Sequence, residues 1–134
     1  MSAAALANSL ANVASRSTLR LTHYGRRSGK PYEVTIWFLV ERDTVYLVTA
    51  NRQRQWPRNV TVRSAVQLRI GNEIFEGQVE EITDPAFIEH VTDLMAAKYW
   101  YTWPYVWLAR RFGWQVPSAV FRVIVAPESR TFAS

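Results

Sequence analysis

The fold is decided by residues 19–59, which read LRLTHYGRRSGKPYEVTIWFLVERDTVYLVTANRQRQWPRN. Alternating apolar residues predict three strands here, over residues 19–24, 32–41 and 44–50. The turn between the first two strands, residues 25–31, carries three cations and is called the basic turn below. Neighbouring cations repel each other, so a chain that only had to reverse direction would favour Asn-Gly or Asp-Gly. The basic turn therefore indicates an anionic ligand.

The remaining sequence extends this pattern to six strands. Asp84 suits the N-cap of a late helix, and Pro85 suits its first turn. No Gly-x-Gly-x-x-Gly motif follows a strand, which excludes a Rossmann-type fold. Six strands joined mainly by short turns predict a mainly β domain of the α+β class, a small antiparallel barrel with flanking helices. After the third strand the predicted elements are a helix, two strands joined by a Gly-Asn hairpin, the late helix and a closing strand, over residues 56–63, 65–70, 73–79, 85 onwards and 119–125.

The composition excludes several kinds of site. The chain has 134 residues, enough for one domain with its own core, and it has no cysteine. Disulfides, thiolate metal sites and cysteine nucleophiles are therefore excluded. No run of eighteen apolar residues predicts a membrane span. We expect His23 to be a structural histidine, and His90 lacks a second ligand, so no metal site is predicted.

Positive charge is concentrated in two segments, although the net charge is only +5. No acidic residue precedes Glu33 or lies between Thr44 and Asn72, whereas the stretch from Glu73 to Asp93 has seven acids and no lysine or arginine. Two discrete basic segments suit a small anionic ligand better than a nucleic-acid track. Simple solvation of these side chains is the alternative interpretation. The basic residues concerned are Arg16, Arg20, Arg26, Arg27, Lys30, Arg52, Arg54, Arg58, Arg63 and Arg69.

The N-terminal residues are rich in Ala and Ser, contain Arg16 and lack acids, which is typical of a transit peptide. Leu6, Leu10 and Val13 also fall on one face of a helix. We favour the helix, and we expect an N-terminal helix over residues 1–17 followed by the barrel domain over residues 18–134.

Residues 99–114 contain eight aromatic side chains and allow three interpretations. They can fill the core or a dimer interface. They can form a wall or lid of a site for flat apolar substrates. They can also contact a membrane surface, since Arg110 and Arg111 lie beside Trp107 and Trp114.

Taken together, these motifs resemble the deazaflavin (F420)-dependent nitroreductase and quinone reductase family, a branch of the split β-barrel flavin-binding proteins related to pyridoxamine-phosphate oxidase. The resemblance covers roughly residues 19–127 and implies a six-stranded antiparallel split β-barrel that is FMN-binding-like and pairs as a homodimer. It rests on the basic turn Gly25-Arg26-Arg27-Ser28-Gly29-Lys30-Pro31, on Ile36-Trp37-Phe38, on Thr49-Ala50 at the end of the third strand, on Trp56 and Asn59 in a Trp-x-x-Asn motif, and on Arg69-Ile70-Gly71.

The resemblance also implies coenzyme F420 as the cofactor, a hydride carrier with a phosphate and a polyglutamate tail. In that family the basic turn holds the phosphate-bearing tail. The second strand would line the ring and its linker, the end of the third strand would offer backbone groups to the ring, and the Trp-x-x-Asn segment would close the site. The implied cofactor-binding residues are Arg26, Arg27, Ser28, Gly29, Lys30, Ile36, Trp37, Phe38, Val48, Thr49, Ala50, Asn51, Trp56, Arg58 and Asn59.

The loop after the third strand departs from the family pattern. Family members often have a Ser-Lys-Gly-Gly type loop, whereas this chain has Ala50-Asn51-Arg52-Gln53-Arg54. Arg52 or Arg54 can replace the lost lysine. FMN is the alternative cofactor, and the alternative functions are an FMN-binding oxidoreductase and a non-catalytic flavin- or quinone-binding protein.

The implied activity is transfer of a hydride from F420H2 to a quinone, nitroaromatic or enone. The cofactor ring carries out the redox chemistry, and the protein orients the reactants and excludes water. Tyr101 and Tyr105 are the candidate catalytic residues, because a tyrosine of the late helical segment serves the acceptor pocket in the family. The expected partners are the anionic cofactor, a small planar apolar substrate and a second copy of the chain, but not nucleic acid. We expect a cytoplasmic protein, peripheral to the membrane if residues 99–114 contact its surface.

Overall fold

One antiparallel sheet organises the chain. The computed structural model describes residues 3–102, 104, 108, 111, 119–126 and 131–132. Within them the sheet has eight strands, flanked by three α-helices and a short 3-10 turn at Trp100–Thr102. In chain order the elements are α1 (Ala3–Val13), β1 (Leu19–Tyr24), β2 (Pro31–Ile36), β3 (Phe38–Glu41), β4 (Thr44–Thr49), α2 (Gln55–Val62), β5 (Ala65–Ile70), β6 (Glu73–Ile82), α3 (Pro85–Lys98), β7 (Ala119–Val125) and β8 (Thr131–Phe132).

The order of the strands makes the sheet curl into a barrel. The order is β2-β1-β5-β6-β7-β4-β3, with β8 paired to β6. Only Trp37 separates β2 from β3 in the chain, yet these two strands lie at opposite ends of the order. Both ends of the sheet must therefore meet at Trp37, which confirms the predicted mainly β, barrel-like class.

The strand count differs from the six strands that the sequence predicts. The predicted long strand over residues 32–41 is broken at Trp37 into β2 and β3, and β8 is an additional two-residue strand. At the break, the backbone N–H of Phe38 donates to the Tyr99 hydroxyl (3.2 Å) and its carbonyl accepts from Lys98 Nζ (2.9 Å). Side chains at the end of α3 thus replace ladder hydrogen bonds at Phe38, so the strand can bend there.

The main core fills the inside of the barrel. Val34, Ile36, Phe38 and Val40 all belong to it, as their period of two predicts. Helix α1 adds Leu6, Leu10 and Val13, and α2 adds Trp56 and Val60. Both helices therefore pack their apolar faces onto the same core as the strands.

A second core lies on the outer face of β3, β4 and β7, where α3 covers the sheet. The carboxylate of Asp84 accepts from the backbone N–H of Ala86 (3.3 Å), and Pro85 lies in the first turn, which confirms the predicted start of this helix. The members of the second core are Leu39, Tyr46, Ile82, Val91, Met95, Tyr99 and Val120, with Val48, Phe87, Ile88 and Leu94 packed against them. None of the helices in the described residues combines the length and apolarity that crossing a bilayer requires.

Candidate functional site

The basic turn is a closed loop between β1 and β2. The N–H of Gly25 donates to the carbonyl of Lys30 (2.9 Å), and the N–H of Gly29 donates to the carbonyl of Gly25 (2.8 Å). Ser28 Oγ accepts from the N–H of Lys30 (3.2 Å). Gly29 has a φ of +73°, which glycine adopts without steric cost. The loop is thus held in one shape by its own backbone.

Asn59 joins the basic turn to helix α2. This side chain is fully buried, and its Oδ1 accepts from the backbone N–H (3.1 Å) and from Nη1 (2.9 Å) of Arg26. Its Nδ2 lies 3.0 Å from Nδ1 of His23. Because the Asn59 nitrogen can only donate, Nδ1 of His23 accepts and the imidazole proton is on Nε2. Burial lowers the pKa of His23, which favours this neutral form and agrees with its expected structural role.

Three cations surround the turn without a carboxylate. A Cβ built on Gly29 would lie 3.6 Å from the central carbon of the Arg63 guanidinium, so Arg63 lies against the turn. Arg27 and Lys30 are exposed on the turn itself. In the described part of the chain, no carboxylate lies within 4.0 Å of these three side chains. These three side chains can therefore form ion pairs with an anionic ligand.

The loop after β4 is held by its own polar groups. Thr49 is buried, and its hydroxyl donates to the carbonyl of Asn51 (2.9 Å) and accepts from its N–H (3.1 Å). Val48 is half-buried, whereas Ala50 and Asn51 are exposed. Of the two arginines that can replace the missing lysine, Arg52 pairs with Glu81 (2.8 Å), so it is already neutralised.

Several predicted cofactor residues are core residues in the structure. The side chains of Ile36, Phe38 and Trp56 are buried in the main core, and Trp56 packs edge-on against Phe121 with ring centroids 5.4 Å apart. Trp37 and Arg58 are exposed instead. Among the three strand residues 36–38, Trp37 is the one whose side chain a ligand can touch.

An aromatic patch lies where the barrel closes. We use this name for Trp37, Tyr99, Trp100 and Tyr101. The rings of Trp37 and Tyr99 stack with centroids 4.3 Å apart and an interplanar angle of 5°. Tyr101 meets Tyr99 (6.3 Å) and Trp100 (6.1 Å) edge to face. The predicted catalytic Tyr101 is thus exposed and contacts the same Tyr99 ring on which Trp37 stacks, while Tyr105 lies outside the described residues.

Lys98 lies beneath this patch. Its Nζ lies 3.7 Å from the Phe38 ring centroid and donates to the Phe38 carbonyl. Burial lowers the pKa of Lys98 to about 8. Burial also raises the pKa of Tyr99, partly offset by its hydrogen bond to the Phe38 backbone. Lys98 was not predicted as a site residue, and Arg63 was named only as one of the basic residues that suit an anionic ligand, because their contacts join segments far apart in the chain.

His90 lies in helix α3, and its Nε2 lies 2.9 Å from a Glu41 carboxylate oxygen. Among the residues that the structure describes, no group of three or more His, Cys, Asp or Glu side chains lies close enough together to hold a metal ion.

The curled antiparallel barrel places the chain in the class of proteins with a pyridoxamine-phosphate-oxidase-like fold. Within that class the chain belongs to the F420H(2)-dependent quinone reductase family, whose sequence profile matches residues 6–105. It is therefore an oxidoreductase, and its cofactor is coenzyme F420.

Solved structures agree with this fold. A Listeria innocua protein named after pyridoxamine 5'-phosphate oxidase is 14% identical, with a TM-score of 0.68 over 96% of this chain and 97% of its own. An F420-H2 dependent reductase (FDR-A) is 21% identical, with a TM-score of 0.62 over 81% of this chain and 94% of its own. A protein solved as a domain-swapped dimer is 21% identical, with a TM-score of 0.63 over 81% of this chain and 80% of its own. No curated protein sequence matches the chain.

The residues around the basic turn fit the anionic tail of F420. Arg27, Lys30 and Arg63 supply positive charge that no nearby carboxylate of the described chain neutralises. Gly29 has no side chain, so a ligand can approach the turn's backbone beside the Arg63 guanidinium.

Proposed function

We propose that this chain transfers a hydride from F420H2 to a flat apolar acceptor of the quinone type, bound against the aromatic patch. The exposure of that patch carries the proposal. Trp37 is 39%, Trp100 71% and Tyr101 55% exposed, although each could bury a large apolar surface. Trp37 and Tyr101 both contact the buried Tyr99 ring, and exposed aromatic rings held near each other favour a planar ligand, since offset stacking adds to the gain from burial. The same surface suits nitroaromatic and enone acceptors.

The tail of the cofactor is proposed to bind at the basic turn, next to Arg63. Arg27 and Arg63 can each form two parallel hydrogen bonds to phosphate or carboxylate oxygens, and Lys30 adds a compact charge. Arg26, Ser28 and Gly29 shape the turn, and Asn59 and Trp56 fix α2 beneath it. The ring is proposed to lie toward the exposed end of β4, at Val48, Thr49, Ala50 and Asn51, with Trp37 and Arg58 at its borders and Ile36 and Phe38 supporting them from the core.

Bound F420H2 supplies two electrons as a hydride, together with a proton left on its ring. Besides the hydride the acceptor needs one proton, so the protein's own contribution is orientation and the donor of that proton, while the proton left on the ring would be released to solvent. Tyr101 is proposed to donate its phenolic proton to the acceptor oxygen and to recover one from solvent, because it is an exposed member of the patch. Tyr105 is proposed for the same role, and it lies outside the described residues.

We also propose that the chain forms a homodimer and that it contacts a membrane surface. The barrel that resembles this chain and was solved as a domain-swapped dimer supports the pairing. Exposed Trp100 and Leu108 support a membrane contact through residues 99–114, since Trp is enriched where protein meets lipid head groups. Such a contact would place a lipid-soluble quinone next to the patch.

We predict that the chain oxidises F420H2 in the presence of menadione, measured as loss of F420H2 absorbance. Trp37→Ala should raise the KM for menadione about tenfold, because one lost stacking contact is worth roughly 1–1.5 kcal/mol. Ile124→Ala, which removes another exposed apolar side chain, serves as the control and should leave the KM unchanged.

Three results would count against the proposal. F420 binding without turnover of any quinone, nitroaromatic or enone would indicate a carrier. Preferential retention of FMN on gel filtration would indicate the other cofactor. An unchanged KM in Trp37→Ala would place the acceptor elsewhere.

A further inference from the structure

A second group of arginines lies away from the basic turn. A cavity of about 550 Å3 on the outer face of β2, β1 and β5 is lined by Arg16, Arg20 and Arg69. It lies at the end of β1 opposite the basic turn, since Arg20 precedes Tyr24 by four residues, about 13 Å along a strand. The proposed function uses none of these three side chains.

The register of the sheet brings like charges together here. Arg20 is the direct antiparallel partner of Arg69, and both are exposed. Side chains in such pairs have Cβ atoms about 5 Å apart, and like charges directly opposite each other destabilise a sheet. The arrangement is therefore unfavourable unless an anion neutralises it.

The one carboxylate in the cavity lining does not balance this charge. Glu33 Oε2 lies 3.0 Å from Arg20 Nη1, and both side chains are more than half exposed. For Arg16 and Arg69 no carboxylate of the described residues lies within 4.0 Å. Three arginines and one glutamate leave a net charge of +2 in the lining.

Gly71 has no side chain, and this leaves room for the Arg16 guanidinium at the edge of the cavity. A Cβ at Gly71 would lie 3.3 Å from both Nε and Nη2 of Arg16, so the guanidinium lies against the β5–β6 turn. The hydroxyl residues Ser17, Thr18 and Thr35 add hydrogen-bonding groups to the same lining. Forked guanidinium groups and hydroxyls together suit the oxygens of a phosphate.

We infer that this cavity is a second anion site, which binds the phosphate group of an organic phosphate. A phosphate group, which carries one negative charge as a diester or up to two as a monoester, is attracted by the net charge of +2 in the lining. The volume is that of a site for a small organic molecule, larger than one phosphate ion needs. Thr35 and Trp37 are both exposed two residues apart, so an apolar portion of the same ligand can reach Trp37.

The test is binding of glycerol 1-phosphate to the full chain by titration calorimetry, together with sedimentation on phosphatidylglycerol and phosphatidylcholine vesicles. Arg16→Gln combined with Arg69→Gln should weaken glycerol 1-phosphate binding at least tenfold. Glu33→Gln should tighten it several-fold, because it removes the negative charge from the lining. Arg42→Gln, which removes one exposed cation from the β3–β4 turn, should have no effect.

Binding of glycerol 1-phosphate identifies a soluble ligand. Binding only to phosphatidylglycerol vesicles identifies a lipid head group, provided that the double variant no longer binds them. The inference is overturned if the wild type binds neither, if the double variant with an unchanged thermal unfolding midpoint binds as the wild type does, or if Glu33→Gln weakens binding. F420 affinity should be the same in the double variant, and its loss would show that the cavity belongs to the cofactor site. Failure of the wild type to bind F420 would refute the proposed function and leave this inference intact.

Discussion

At the scale of single residues, the side chain of Asn59 connects several parts of the candidate site. It is buried and bonds both Arg26 and His23, so it fixes the basic turn, strand β1 and helix α2 relative to one another. Through these hydrogen bonds the Asn59 side chain determines the position of the exposed cations of the basic turn.

We predict that Asn59→Ala lowers the free energy of unfolding by roughly 1–3 kcal/mol, because it leaves the Arg26 N–H and the His23 Nδ1 without partners. Urea unfolding measures the loss. Asn59→Asp keeps the acceptor for Arg26 but removes the donor to His23, so a carboxylate beside the ring should raise the His23 pKa in NMR titration. An alanine variant as stable as the wild type would contradict this role.

We predict that the lowered pKa of Lys98 makes the free energy of unfolding rise with pH. Its pKa in the folded state, about 8, is below the usual 10.5, so between these values the unfolded chain binds the extra proton and stability rises with pH. Because Lys98 is only half-buried, we expect a gain of about 1 kcal/mol, well below what the full shift implies. Above about pH 10 the raised pKa values of Tyr46 and Tyr99 reverse the trend, since these phenols ionise first in the unfolded chain.

Urea unfolding from pH 7 to pH 10 tests this dependence. Lys98→Met retains an apolar stem and should give a flatter profile between pH 8 and pH 10. Parallel profiles for the two proteins would refute the assignment to Lys98.

At the scale of elements, strands β6 and β7 approach each other unusually closely at Gly77. A Cβ on Gly77 would lie 2.5 Å from the carbonyl oxygen of Ile124, a backbone atom that cannot move aside alone. Gly77 thus allows the two central strands to pair over residues 77–82 and 120–125.

We predict that Gly77→Ala costs about 1–3 kcal/mol of stability, the usual range for overpacking a tight contact. Glu76→Ala, at the exposed neighbouring position, should stay within about 0.5 kcal/mol of the wild type. Thermal and urea unfolding of the two variants make the comparison. Equal stability of both would mean that β6 and β7 separate freely at this point.

At the scale of the whole molecule, the distribution of charge matters more than the net value of +5. The acid-free segments supply the basic turn and the three arginines of the cavity on the outer face of β2, β1 and β5, while the stretch from Glu73 to Asp93 carries seven of the eleven acids. Exposed charges act over about 30 Å at 0.01 M salt but only about 8 Å at 0.15 M.

We therefore predict that F420 affinity falls roughly tenfold as ionic strength rises over that range. Fluorescence titration measures it. Arg27→Gln combined with Lys30→Gln should weaken binding and flatten the salt dependence, whereas Arg42→Gln should do neither. A salt-independent affinity would mean that the tail does not bind at the exposed cations.

The sequence predicts most of the architecture, because periodicity and turn residues are local signals. The faces of residues 34–40, the cap at Asp84 and the hairpin at Gly71 all follow from neighbours in the chain. The break at Trp37 does not, since it depends on Lys98 and Tyr99, about sixty residues away. The contact of Arg63 with Gly29 and the burial of Phe38 and Trp56 likewise depend on how distant segments meet. The sequence therefore indicates which residues carry charge, but not which of them remain exposed to a ligand.

The hydroxyl of Tyr99 has one further consequence. It donates to the carbonyl of Ser17 (2.7 Å) and accepts from the N–H of Phe38, so one oxygen connects the segment before β1 with the strand break. The Tyr99 ring also stacks on Trp37, and Ser17 lines the outer cavity. A ligand that shifts this ring must also shift those peptide groups. If a ligand in the cavity changes the affinity for a second ligand at Trp37 by some factor, the ligand at Trp37 changes the affinity of the cavity for its own ligand by the same factor.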